Sequence, residues 1–291
     1  MKKIMEYLKL MRVHHYIKNL LVFTALICSR QIFNVYKLSS CLLGFISFCM
    51  ISSSIYIIND IRDVDEDRKH EKKAKRPIAS GKVSIKEAKI LSFVLFFLSF
   101  VISILIPVAG KEYCIVLFIY FIINIVYSSG AKDVPIVDVA LLSSGFYMRV
   151  LYGALITDIK ISNWLYLTVI TMSLFFALGK RRNELINDEG KCVRKVLKSY
   201  TKEFLDKNMY MCLGLANCFY SLWSMDSETI VFRNAEYLIY TIPLVILISM
   251  TYSYSIENTS DGDPVSVLLH SKSLISLTLI YAIVMFWILY F

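Results

Sequence analysis

Asn59, Asp60, Asp63 and Asp67 stand at i, i+1, i+4 and i+8, directly after an apolar stretch. If the helix formed by that stretch runs on past them, the three carboxylates share one face. There they repel one another unless a cation sits between them. Mg2+ suits that place, because it prefers oxygen ligands and is commonly shared between carboxylates and a substrate's phosphates. The plainer reading is a solvated charged loop stitched together by its own Lys and Arg. Lys72, Lys73, Lys75 and Arg76 come next, Pro77 ends the basic run, and Ser80-Gly81 supplies a turn. Cations beside a metal–carboxylate cluster suit a pyrophosphate: the metal bridges its oxygens and the cations balance the remaining charge. The same cations also suit attraction to anionic lipid.

Two other polar clusters interrupt apolar sequence. The segment GKRRNELINDEGKCVRK places Lys180 and Glu184 on one helix face, with Arg181 and Arg182 between them. The segment YSSGAKDVPIVD carries Tyr127, Lys132, Asp133 and Asp138. From Asp138 a stripe runs through Leu142 and Gly145 to Arg149 at helical spacing, with the two charges roughly 16 Å apart by helix rise, too far to pair. Both should face a protein interior, since charge exposed to lipid is expensive. Arg149 fits two roles there, a ligand for an anion or a tether to a neighbouring helix. Gly145 on the same stripe leaves open space or permits close helix approach. His14, His15 and His70 can hydrogen-bond phosphate, but a solvated histidine at the membrane surface is the favoured reading.

The elements that must hold these residues are set by composition. The 291 residues are 57% hydrophobic and 19% charged, with mean hydropathy +0.58. A soluble core of this length could not hide that much apolar sequence. Ten Gly and five Pro exclude low-complexity and collagen-like chains. Spans of roughly the length a membrane helix needs fall at 17–35, 39–58, 88–108, 112–128, 135–156, 163–180, 205–224, 235–255 and 273–290. None alternates with period two as barrel strands do. The expectation is therefore an all-α bundle of about nine transmembrane helices, forming a single domain over 1–291. The N-terminus does not read as a signal peptide, because Glu6, Lys9, Arg12 and Lys18 interrupt any short apolar core. The seven Cys form no CxxC pair and read as apolar filler.

Orientation comes from the basic residues. With the N-terminus inside, 26 of the 32 Lys and Arg fall on the inner side and five on the outer, and Arg149 lies within a span. The positive-inside rule then places the N-terminus and the charged loops near 59–89 and 180–204 in the cytoplasm, in a multi-pass plasma-membrane protein. The first of those loops holds seven acidic and ten basic residues, far more charge than orientation requires.

These motifs carry a resemblance. NDIRDVDEDRKHEKKAKRPIASG is similar to the first aspartate-rich motif of the UbiA superfamily of intramembrane prenyltransferases, with its Arg-Pro-Ile-x-Ser-Gly turn. RVHHYIKNLLVF, KDVPIVDVALLSSGFYMRVLYGAL, LGKRRNEL and DGDPVSVLL resemble the polyprenyl-phosphate (decaprenyl-phosphate type) phosphoribosyltransferase branch. In that branch a Lys-Arg-rich sequence replaces the second aspartate motif, and here Lys180-Arg181-Arg182 with Glu184 stands there. Val13, His15 and Tyr16 depart from the Pro, Gln and Trp common in the branch. The resemblance covers essentially the whole chain.

The resemblance implies Mg2+-dependent transfer of 5-phosphoribosyl from phosphoribosyl pyrophosphate to a polyprenyl phosphate for cell-envelope lipid-linked sugar synthesis. Three phosphate-bearing groups would then meet in one site, which accounts for a basic second motif. Asp60, Asp63 and Asp67 are the implied metal ligands and, with Lys132, Lys180 and Arg181, the catalytic set. Lys18, Asn19, Asn59, Arg76, Tyr127, Asp138, Arg149 and Glu184 are the implied substrate-binding residues. The expected partners are the two substrates and membrane lipid, with no nucleic acid. The competing readings are a prenyltransferase acting on an aromatic or quinone precursor, which predicts a second acidic motif, and a transporter, which predicts inverted repeats and broken midplane helices.

Overall fold

The structure, a computed structural model, describes residues 2–69, 71, 73–108, 110–187, 194–226, 235–258, 267–268 and 270–291. His70, Lys72, Cys192 and most of the DGDPVSVLL segment lie outside the described residues. Among the described residues there is no β-strand. The helices are α1 (Lys2–Leu10), α2 (Thr24–Cys28), α3 (Val35–Arg62), α4 (Val64–Lys69), α5 (Ile85–Ile104), α6 (Glu112–Ser128), α7 (Val137–Thr157), α8 (Asn163–Ile186), α9 (Lys202–Met225), α10 (Ile242–Asn258) and α11 (Lys272–Tyr290). Five of the described helical stretches are long and apolar enough to cross a membrane: α3, α5, α7, Glu236–Glu257 and α11. Val13–Cys28 and Glu112–Ser128 are shorter apolar helices. The protein is a multi-pass helical membrane protein, as its composition requires.

The chain divides into two compact units, Met1–Ser129 with Met148–Lys160, and Gly130–Tyr147 with Ile161–Phe291, so α7 contributes to both. In the first unit α3 and α5 lie side by side. Serines make the approach close: Ser47 bonds the Ser99 carbonyl and the Ser103 hydroxyl, both at 2.8 Å, and Ser54 bonds Ser92 at 2.9 Å. Small hydroxyl residues at a helix contact let backbones come together and satisfy their own polarity in lipid. Local signals begin the helices where the sequence provides them. Asn34 accepts the Tyr36 and Lys37 N–H groups at the start of α3, and Ser84 with Glu87 forms a capping box on α5. In the second unit, α8 and α9 bury an apolar cluster that includes Phe175, Leu205, Met209, Tyr252 and Ile256.

The span expected at 17–35 is different in kind. Residues Val13–Phe23 form a 3-10 helix that passes into the short α2, and the element ends at Cys28. Arg30 takes a left-handed φ of 62°, which closes the element before Asn34 opens α3. The tight winding accompanies a close contact: a Cβ at Gly153 would lie 1.9 Å from the Val22 carbonyl oxygen. Neither partner can give way, because both are backbone. Gly153→Val is expected to cost at least about 1–3 kcal/mol by overpacking. A lowered thermal midpoint of the purified protein checks this, and an unchanged midpoint would refute the contact.

Candidate active site at the end of α3

α3 runs four residues beyond the predicted end at 58, so Asn59 and Asp60 ride on its last turn. The helix breaks at Asp63, yet the i, i+4 register survives the break: the Asp63 N–H donates to the Asn59 carbonyl at 2.9 Å and the Asp67 N–H to the Asp63 carbonyl at 2.8 Å. Asp60 and Asp67 are therefore carried on one side, and each is only 3% exposed. Carboxylates this deep need partners. Arg76 supplies one for both: its Nη1 lies 3.1 Å from Asp60 Oδ1 and 2.7 Å from Asp67 Oδ2. Arg12 Nη2 donates to the same Asp60 oxygen at 2.5 Å while its guanidinium lies over the Tyr56 ring at 4.9 Å. Asn59 Oδ1 accepts from Ser128 at the end of α6, at 2.5 Å.

The sequence holds Arg76 there by burying the residues just after it. Ile78 enters an apolar cluster with Leu10, Ile57, Val64, Val83 and Leu95. Gly81 takes φ 75°, and its N–H closes the turn on the Ile78 carbonyl at 3.0 Å. The Arg-Pro-Ile-x-Ser-Gly turn is thus a mount for one guanidinium.

The acidic face was expected to need a cation, and here Arg76 bridges Asp60 and Asp67. Asp63 is half-buried as the C-cap of α3. Among the described residues no three His, Cys, Asp or Glu side chains form a ready-made metal cluster. The donor chemistry nonetheless fits a hard divalent cation: two buried carboxylates converge on one atom, with an amide oxygen and a third carboxylate on the same turns.

A second polar cluster lies in the other unit. Asp138 and Arg181 are both fully buried. Arg181 Nε donates to Asp138 Oδ2 at 2.5 Å and Nη1 to Glu184 Oε2 at 2.6 Å; Arg194 reaches that Glu184 oxygen at 3.5 Å. Tyr200 donates to Asp138 Oδ1 at 2.6 Å and accepts the Ile136 N–H at 2.6 Å. Ile136 has φ 68°, a strained conformation for a β-branched residue. Burial and the bond to Asp138 push the Tyr200 phenol up to about 12. Arg182 is held by Asp206 and, at 3.9 Å, Glu257. Both arginines of the Lys180-Arg181-Arg182 triplet are thus neutralised by carboxylates.

Tyr200→Phe removes both bonds at once and is expected to cost about 1–3 kcal/mol. The raised phenol stabilises the fold fully below about pH 10, and that contribution is lost as pH rises through about 12. A stability–pH profile of the variant should fall less steeply over that range than the parent's; parallel curves would refute the assignment.

Arg149 is buried and resolves toward its tether role. Its Nε donates to Asn19 Oδ1 at 2.8 Å and its Nη2 to the Tyr120 hydroxyl at 3.1 Å, with the Phe48 ring 5.0 Å away. It ties the 3-10 helix and α6 to α7. Lys18, Tyr127, Lys132 and Lys180 are each half-buried. Arg12, Tyr120, Ser128 and Tyr200 were not singled out from the sequence. Arg12 had a signal, as the last cation before the first apolar stretch, whereas the others join the clusters only through tertiary contact.

Membrane-crossing helices, an aspartate-rich turn ending the second long apolar stretch, and arginines folded back on its carboxylates define a class: intramembrane transferases that handle phosphorylated substrates. The chain matches the UbiA prenyltransferase family over residues 20–266 and belongs to it. It is 33% identical to the decaprenyl-phosphate phosphoribosyltransferase of Corynebacterium glutamicum over 285 residues, covering 96% of this chain and 85% of that one. The enzyme of that name from Mycobacterium tuberculosis is 28% identical over 272 residues, covering 91% and 88%. A UbiA homolog from Archaeoglobus fulgidus, solved with GPP and Mg2+, shares the fold at TM-score 0.71 and 19% identity, covering 98% of this chain and 99% of that one.

Proposed function

We propose that this transferase moves 5-phosphoribosyl from phosphoribosyl pyrophosphate to a polyprenyl phosphate at the cytoplasmic face of the plasma membrane. The convergence of Asp60 and Asp67 on one guanidinium carries the reading, and the names of the relatives support it. Asp60 and Asp67, with Asp63 and Asn59, would hold Mg2+, which supplies Lewis-acid neutralisation of the pyrophosphate leaving group. Arg76 and Arg12 hold the two buried carboxylates in place through their ion pairs. A lipid phosphate oxygen forms a bond to ribose C1 as the C1–O bond to pyrophosphate breaks, and pyrophosphate leaves with the electron pair. The lipid phosphate is already anionic, so the residues around it position it and need take no proton from it. Lys18, Lys132 and Lys180 are the cations proposed for the remaining phosphate groups. Arg181 acts through Asp138 and Glu184, as a positioning residue.

Pyrophosphate release by the purified protein tests the choice of substrates. Release should require both polyprenyl phosphate and phosphoribosyl pyrophosphate. Release from a polyprenyl diphosphate with an aromatic acceptor, and not from the first pair, would favour the prenyl-transfer alternative.

A further inference from the structure

Helix α1 carries a broad apolar stripe, and only one side of it packs against other described residues. Leu10 is fully buried, and Tyr7 and Met11 pack beside it on the cluster that holds Ile78, Val83 and Ala88. On the outer side of the stripe Ile4, Met5 and Leu8 are 62%, 56% and 44% exposed. Two ion pairs at the surface add to this packing and join α1 to the start of α5. Lys3 Nζ donates to Glu87 Oε1 at 2.6 Å, and Lys82 Nζ to Glu6 Oε1 at 3.3 Å. Glu87 lies in the first turn of α5, a helix long and apolar enough to cross the membrane. The ion pairs therefore hold α1 level with the point where α5 enters the bilayer.

At that level a helix with an exposed apolar face lies in the interface plane. The polar border of the exposed face is basic. Lys3, Lys9 and Lys82, with Met5 and Glu6, line an open cavity of about 600 Å³. Lys9 and Lys82 share one oxygen of Glu6, at 3.1 and 3.3 Å, and this pairing holds the Glu6 carboxyl below its ordinary range. Lys82, Lys86 and Lys89 continue the exposed basic surface along the start of α5.

We propose that this cavity is a headgroup site for an anionic glycerophospholipid, with Ile4, Met5 and Leu8 inserted among its acyl chains. Charge complementarity chooses this occupant: three lysines against the single Glu6 carboxylate line the cavity, and Met5 in its wall, with the exposed Ile4 and Leu8 on the same helix, needs hydrocarbon. The site is separate from the Asp60 centre and does not depend on the reaction proposed there.

Native mass spectrometry of the full chain in detergent, with dioleoyl phosphatidylglycerol, dioleoyl phosphatidylcholine or inorganic phosphate added, tests this. Phosphatidylglycerol should be retained roughly tenfold better than phosphatidylcholine, and Lys3→Gln/Lys9→Gln/Lys82→Gln should abolish that preference. Inorganic phosphate should not displace the lipid. Equal retention of the two lipids, an undiminished preference in the triple variant, or displacement by phosphate would each overturn the proposal. Should the triple variant not fold, hydrogen exchange of residues 2–10 in the parent decides the matter. Protection should rise in nanodiscs containing phosphatidylglycerol over phosphatidylcholine alone; equal protection would overturn it.

Discussion

Asp60→Asn is expected to lower transfer by at least about 100-fold while the protein stays folded. The size comes from the role: neutralising charge on a leaving pyrophosphate contributes several kcal/mol to a barrier, and about 1.4 kcal/mol is tenfold in rate. The survival of the fold comes from the surroundings. Asn keeps the shape and can still accept a bond from Arg12 or Arg76. Arg76 retains Asp67 and Arg12 retains the Tyr56 ring. Both arginine side chains also reach water, at 22% and 28% exposure, so neither becomes a stranded buried charge. Turnover measured beside a thermal unfolding scan separates the two effects. Undiminished turnover would remove Asp60 from the reaction, and loss of the folded protein would make it a structural residue.

Arg181→Leu should behave in the opposite way, damaging stability first. Arg181 is 0% exposed and bonds two carboxylates, one of them the fully buried Asp138. Removing one member of a buried ion pair strands the other, at about 3–5 kcal/mol. The thermal midpoint of Arg181→Leu should fall by more than about 5 °C. Asp138→Asn in the same chain should restore part of it, because the stranded charge is gone. A variant as stable as the parent, and deficient only in turnover, would instead make Arg181 a group that touches substrate.

The contrast between these two residues marks how far local sequence reaches. The aspartate spacing at 60, 63 and 67, and the turn after it, were legible because helix periodicity and turn chemistry are local. They led to a shared acidic face, and the structure carries Asp60 and Asp67 on one. The basic triplet at 180–182 was legible only as charge. A sequence yields the sum of charges in a loop but not which of them are cancelled by residues far along the chain. Asp138 and Asp206 take up Arg181 and Arg182 from 43 and 24 positions away. Arg149 was legible as buried, and its partners Asn19 and Tyr120 were not, for the same reason. The first span departs from its expected form because apolar composition does not distinguish a 3-10 helix from an α-helix. The element instead accommodates a contact with the backbone at Gly153, which no periodicity records.

Phosphoribosyl transfer to lipid is tested most directly by the fate of the ribose. Purified protein is incubated with Mg2+, polyprenyl phosphate and phosphoribosyl pyrophosphate labelled in the ribose, and the mixture is extracted into organic solvent. The label should move into the organic phase in proportion to the pyrophosphate released, and only when the lipid phosphate is present. Label that stays in the aqueous phase, under conditions where a relative of known activity transfers it, would contradict the assignment.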